Sequence, residues 1–173
     1  MIFVCAMTMA QTNAYPLLPM PQNYKVTDKS FAMGKVKLST PVLKSEWEAF
    51  IVNAGGELAD KAAAEIKIEL LPVIDGVKLN PDEAYRLSVS GKLIKIEAVT
   101  ERGVYWALQT LRQLEKKKGK KSLFAGCEIV DWPAFRIRGF MQDVGRSYIS
   151  VEELKREIEI LSRFKINVFH WHL

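Results

Sequence analysis

Apolar and polar residues alternate with period two over AEIKIEL (64–70), YRLSVS (85–90) and LIKIEAV (93–99). That period sends successive side chains to opposite faces, so each stretch is predicted to be a strand with one apolar face. Gly91-Lys92 separates the last two, and this reads as a hairpin. KVKLS (35–39) is a shorter strand of the same kind. Two other stretches carry helical spacing. Trp47, Phe50, Ile51 and Ala54 share one helical face ahead of Gly55, a natural stop, and Ser45 and Glu48 have the spacing of a capping box in front of it. In ERGVYWALQTLRQLEK (101–116), Val104, Leu108, Leu111 and Leu114 recur at helical intervals, and Lys116 to Lys118 suit the negative pole of that helix.

Strands mixed with two helices, including one antiparallel hairpin, predict an α+β domain over residues 24–130: a mixed sheet with helices on one face. The texture changes at Asp131. FRIRGFMQDVG (135–145) reads as a buried strand, and Ser150 and Glu153 form a second capping box that Ile149 and Leu154 can close as a hydrophobic staple. Leu154, Ile158 and Leu161 then line the inner face of a helix that ends at Arg163 and Lys165, and INVFHWHL (166–173) follows as a second buried strand. Strand, helix and strand make one βαβ unit, which requires a parallel sheet. One such unit closes no barrel, for which about 250 residues are typical. Residues 131–173 are therefore expected to begin a larger parallel α/β domain, with the chain as the N-terminal part of something longer.

Composition changes this picture little. At 173 residues, with 49% hydrophobic and 26% charged residues, the chain is that of a globular protein. The net charge of +5 is concentrated in KKKGKK (116–121), read as a solvated helix end and turn. No aromatic-and-basic surface pattern accompanies it, so no nucleic-acid partner is expected. Cys5 and Cys127 lack any zinc-ligand spacing. The opening MIFVCAMTMAQTNAYPLLP resembles a short signal peptide with cleavage after Ala10, although a basic first segment is missing; a packed or disordered N-terminus is the other reading. Pro16, Pro19 and Pro21 mark a linker, so residues 1–23 are set aside as signal peptide and linker, and an exported protein is expected. No apolar run approaches about 18 residues, so no transmembrane helix is predicted.

Candidate chemistry gathers on the βαβ unit. In parallel α/β sheets, ligands sit beyond the carboxyl ends of the strands. Arg146, just past Asp143-Val144-Gly145, falls at that face and offers a forked, permanently charged donor to vicinal hydroxyls or a carboxylate. Arg138 falls at the opposite, structural end. His170 and His172, the two histidines of the chain, stand two apart on a strand and so point the same way. They are either the start of a metal site, as in a metal-dependent barrel hydrolase, or hydrogen-bonded supports inside a barrel. Residues 24–126, for their part, are open to a reading as a non-catalytic carbohydrate-binding or docking module.

Three motifs in order, D-x-P-x-F-x-x-R-G from Asp131 to Gly139, D-x-x-R from Asp143 to Arg146, and K-I-N-x-F-H-W-H-L from Lys165 to Leu173, resemble the family-20 glycoside hydrolases. These are the β-N-acetylhexosaminidases. EAYRLSVS, IKIEAV and GVYWALQTLRQL upstream are similar to the family's accessory α/β domain. The resemblance implies a (β/α)8 TIM barrel whose first βαβ unit is residues 131–173. It implies retaining hydrolysis of terminal N-acetylhexosamine from β-linked glycans, with no metal or cofactor, in which the substrate's own acetamido oxygen attacks the anomeric carbon. An Asp-Glu pair on a later strand orients the acetamide and protonates the leaving oxygen, so no catalytic residue is expected in these 173 positions and the chain alone is expected to be inactive. Carried over by position, Arg146 binds the sugar's outer hydroxyls, Asp143 helps build the same wall, and His170 and His172 are supports. Ser147 and Gln142 depart from the family pattern, at positions usually held by histidine and an apolar residue.

Overall fold

A computed structural model describes residues 16–173. The predicted cleavage after Ala10 and Cys5 lie outside the described residues. Strands β1 (Asn23–Val26), β2 (Phe31–Ala32) and β3 (Lys35–Ser39) precede helix α1 (Lys44–Asn53). Then come β4 (Glu57–Leu58), β5 (Ala64–Leu70), β6 (Tyr85–Ser90), β7 (Leu93–Ala98) and helix α2 (Glu101–Gln113). After these, β8 (Glu115–Lys118), β9 (Lys121–Phe124) and β10 (Cys127–Asp131) lead to β11 (Gly139–Asp143), α3 (Val151–Arg163) and β12 (Val168–His172).

Among the described residues, seven strands form one mixed sheet in the order β1-β10-β6-β7-β5-β3-β4. The predicted hairpin is β6–β7, antiparallel, with Leu87 opposite Ile96; β7, β5, β3 and β4 then run parallel. The alternation read from the sequence is why the sheet holds together. Val36, Ile66, Ile68, Leu87, Val89, Ile94, Ile96, Cys127 and Ile129 all fall on one face and are buried. Against that face pack Trp47, Phe50 and Ile51 of α1 and Val104, Leu108 and Leu111 of α2, so both helices lie on the same side. Each such large side chain removed from water stabilises the fold by roughly 1.5–3 kcal/mol. The other face is a ladder of charge: Lys37 pairs with Glu65, Lys67 and Lys95 with Glu69, and Lys95 and Arg86 with Glu97.

Gly55 has φ +77°, and a Cβ there would meet the Lys120 carbonyl oxygen at 2.1 Å, so only glycine ends α1 under the β8–β9 hairpin. Gly103 sits inside α2 for a different reason: a Cβ would meet the Ala84 carbonyl oxygen at 2.2 Å. This helix lies almost on the backbone of the segment before β6.

Three expectations are corrected. The Ser45–Glu48 capping box does not form. The N-cap of α1 is Leu43 (φ 53°), which puts Ser45 inside the first turn, where its hydroxyl donates to Glu46 Oε2 at 2.9 Å. KKKGKK is not a helix end either. α2 stops at Gln113, and Lys116 to Lys121 make the β8–β9 hairpin around Gly119 (φ 63°), with Lys118 opposite Lys121. Finally, β11 and β12 are not buried strands. They form a two-stranded parallel sheet, and Met141 and Trp171 are more than half exposed. Ile158, expected on the inner side of α3, is also exposed, whereas Leu154 is buried and the Ser150–Glu153 capping box is present.

Candidate functional site at the carboxyl edge of the parallel pair

The register of β11 against β12 brings Asp143 beside His172 at the carboxyl ends of both strands. Their closest approach is 3.4 Å, from His172 Nδ1 to Asp143 Oδ1. The Val144 N–H donates to the His172 carbonyl at 3.0 Å and extends the ladder one residue past the strand. Here the chain turns back on Asp143, whose Oδ1 accepts from the N–H groups of Gly145 (3.0 Å) and Arg146 (3.2 Å). An aspartate that captures backbone N–H groups two and three residues on is what this tight turn requires. Its other oxygen, Oδ2, holds Arg146 Nε at 3.3 Å. The Arg146 side chain is 90% exposed, so the rest of its fork faces solvent at the strand ends.

Of the four residues singled out in the sequence, the structure joins three into one contact chain: Arg146 to Asp143 to His172. His170 stands one step behind on the same face, its ring centroid 6.0 Å from that of His172 and tilted by 67°. Chemically this edge offers a charged, forked donor held by a carboxylate, with two imidazoles alongside. It suits recognition of neighbouring hydroxyls. Among the described residues, no three His, Cys, Asp or Glu side chains converge so as to hold a metal ion. No helix among them is long and apolar enough to cross a membrane.

A second polar cluster lies at the other end of the βαβ unit, deep in the junction with the seven-stranded sheet. Lys165 Nζ donates to Asp131 Oδ2 (2.7 Å) and to the Tyr85 hydroxyl (2.9 Å), and sits over the Tyr85 ring. The Tyr85 hydroxyl also donates to Asp131 Oδ2 (3.0 Å) and lies 2.6 Å from Thr110 Oγ1, while Asp131 Oδ1 accepts the Gln22 N–H at 3.1 Å. Burial pushes the Lys165 ammonium below its ordinary value against the pull of Asp131, and burial together with Asp131 drives the Tyr85 phenol well above 10. Beside it, Glu83 Oε2 accepts from Arg138 Nη2 and from Trp106 Nε1 (2.7 Å), with the Arg138 guanidinium over the Trp106 ring. Sequence reading placed Arg138 at a structural end but passed over Glu83, Tyr85 and Lys165. One trace was available: Lys165 closes α3 where a glycine is usual.

Residues 14–132 match glycosyl hydrolase family 20, domain 2, and residues 135–173 match the family's catalytic domain. The chain belongs to glycosyl hydrolase family 20. It is 32% identical to a β-hexosaminidase of Porphyromonas gingivalis over an alignment covering 91% of this chain and 22% of that protein. It is 38% identical to a β-hexosaminidase of Vibrio furnissii, over 66% of this chain and 18% of that one. The fold is similar to that of a family-20 exo-β-N-acetylglucosaminidase from Vibrio harveyi, solved in complex with N-acetylglucosamine: TM-score 0.75, 35% identity, covering 94% of this chain and 26% of that one. The chain thus spans about a fifth of the length of these curated relatives. Its two parts are similar in kind to the family's accessory domain and to the start of its TIM barrel.

Proposed function

We propose that this chain supplies the accessory domain (residues 24–130) and the first βαβ unit (131–173) of a β-N-acetylhexosaminidase that releases terminal N-acetylhexosamine from β-linked glycans. The carrying observation is the Arg146–Asp143–His172 edge. It lies at the carboxyl ends of parallel strands, in the segment that matches the catalytic domain. In this reading Arg146 donates its free fork to adjacent ring hydroxyls of the terminal sugar, Asp143 fixes the direction of that fork, and His172 and His170 back the same wall.

Hydrolysis then follows a substrate-assisted course. The acetamido oxygen bonds to the anomeric carbon as the bond from that carbon to the leaving oxygen breaks, and a carboxylic acid protonates the leaving oxygen. Water then attacks the anomeric carbon of the oxazolinium intermediate as the bond to the acetamido oxygen breaks, and the carboxylate left by the first step takes the water's proton, with net retention. Asp143 is taken up by two backbone N–H groups and one guanidinium, so in this reading it positions Arg146. The acid and the acetamide-orienting carboxylate therefore come from other residues of the enzyme.

Proton NMR of the first-formed product tests this reading. The full-length enzyme carrying these residues should release β-configured N-acetylhexosamine from a chromogenic β-N-acetylglucosaminide, and residues 1–173 alone should release none. An α-configured first product, or turnover by the 173-residue chain, would overturn it.

A further inference from the structure

Lys165 follows Phe164, the C-cap of α3, and its φ of +62° lies in the left-handed region, a position where side chains are disfavoured and glycine is the usual choice. Its ammonium nevertheless runs inward, with the residue 6% exposed, to Asp131 at the end of β10 and Tyr85 at the start of β6. A helix terminator needs no such hook. The backbone of the same residue is also engaged, since its carbonyl accepts from Arg138 Nε at 2.6 Å. Two residues on, Asn167 Nδ2 donates to Glu83 Oε1 (3.2 Å) and to the Arg136 carbonyl (2.8 Å), and Asn167 Oδ1 accepts the Arg138 N–H (2.9 Å). The N–H groups of Asn167 and Val168 both point to the Arg138 carbonyl. The first residue of β12 and the turn before it are thus tied both to the residue preceding β11 and to the seven-stranded sheet.

The consequence lies seven residues on, at His172. In a strand, a slip of one residue exchanges the two faces. For β12 it would replace His170 and His172 with Phe169 and Trp171 along the edge that meets Asp143. The start of β12 is fixed by these contacts, Lys165 to Asp131 and Tyr85 and Asn167 to Glu83 and Arg138.

We propose that Lys165 is a positioning residue: by hooking Asp131 and Tyr85 it fixes where β12 starts, and so holds His172 against Asp143 at the far edge. The accessory domain is then a template for the sugar-binding wall and not a separate binding module. The effect on hydrolysis rests on the function proposed above; the effect on the strand does not.

Lys165→Gly separates hook from terminator, because glycine fits the left-handed turn better than lysine while removing the ammonium. Combined with Asp131→Asn, it also removes the carboxylate left unpaired. Amide hydrogen exchange on the intact protein is the readout, with kcat and KM alongside. In both variants, exchange over 139–144 and 166–173 should accelerate by about tenfold or more, while Leu87 to Ile96 stay within about twofold. KM should rise more than kcat falls. Uniform acceleration across both regions, or wild-type exchange in the double variant, would overturn the proposal and leave Lys165 a plain stabilising pair. Should Lys165→Gly not fold, Tyr85→Phe, which deletes one of the two hooks, is read by the same regional contrast. A wild-type enzyme without activity on N-acetylhexosaminides would sink the functional reading, while the exchange contrast would still decide the role of Lys165.

Discussion

His172 and Asp143 face each other across the carboxyl ends of two parallel strands, 3.4 Å apart, and the same aspartate grips the Arg146 backbone and side chain. Asp143 is therefore the hub of this edge, and its charge matters more to the direction of Arg146 than to folding. The pair with Arg146 is largely solvent-exposed, and such pairs contribute at most about 1 kcal/mol. Asp143→Asn should change unfolding free energy by less than about 1 kcal/mol in a urea titration, because the amide oxygen still accepts the turn N–H groups. KM for a chromogenic N-acetylhexosaminide should nevertheless rise in the full-length enzyme. A large stability loss with unchanged KM would assign Asp143 to folding alone.

Gly55 predicts a packing effect where α1 meets the β8–β9 hairpin. Left-handed backbone costs a residue with a side chain roughly 1–2 kcal/mol, and an added Cβ would also press on the Lys120 carbonyl at 2.1 Å. Gly55→Ala should therefore destabilise by more than about 2 kcal/mol. Equilibrium unfolding in urea measures this, and a loss under about 0.5 kcal/mol would show that the β8–β9 hairpin does not rest on the end of α1.

The charged sheet face sets a pH dependence. Lys67 and then Lys95 hold Glu69 below its ordinary value of 4.5. For Glu97 burial works upward, but Lys95 and Arg86 outweigh it and the net shift is also down. A carboxylate lowered on folding contributes stability that is fully present above its unfolded value and is lost as pH falls through the folded one. Lys95 is raised by Glu97 and Glu69 from 10.5, so its share is present below that value and fades only above it. Thermal midpoints should be nearly flat from about pH 5.5 to 9 and fall below about 4.5, and Lys95→Met should make the acid limb shallower. An unchanged acid limb in that variant would place the acid-sensitive groups elsewhere.

Cys127 is fully buried on β10, on the core face of the sheet, and burial pushes its thiol up to about 12. Because the thiolate is the reactive form, iodoacetamide at pH 8 should leave the Cys127 peptide unmodified in native protein and label it once urea unfolds the chain. Mass spectrometry of the digested protein distinguishes the two. Native labelling at the rate of a free thiol would mean that β10 opens readily.

Much of the sheet was legible because its residues obey one rule at a time. Ile66, Ile68, Ile94 and Ile96 alternate cleanly, and Trp47 and Phe50 keep helical spacing, so local pattern and tertiary burial agree. The misses have the opposite character. Ser45 and Glu48 fit a cap, but α1 begins two residues too early to use it. Lys116 to Lys121 suit a helix end, yet Ser122 and Phe124, buried on β9, draw the segment into a hairpin. At the candidate site, strand-end geometry and family resemblance pointed to Arg146, Asp143 and the histidines, and the strand register brings Arg146, Asp143 and His172 into contact. The junction of Glu83, Tyr85, Asp131 and Lys165 was invisible because its members are up to 82 positions apart and meet only through the packing of the βαβ unit on the sheet.

Arg146→Ala in the full-length enzyme tests most directly the proposed role of Arg146 as the sugar-binding donor of this edge. A charge-assisted hydrogen bond is worth about 1.5–3 kcal/mol, so kcat/KM for a chromogenic β-N-acetylglucosaminide should fall about 10- to 150-fold. With its side chain 90% exposed, unfolding free energy should change by no more than about 0.5 kcal/mol. A folded variant whose kcat/KM stays within about twofold of wild type would contradict the account.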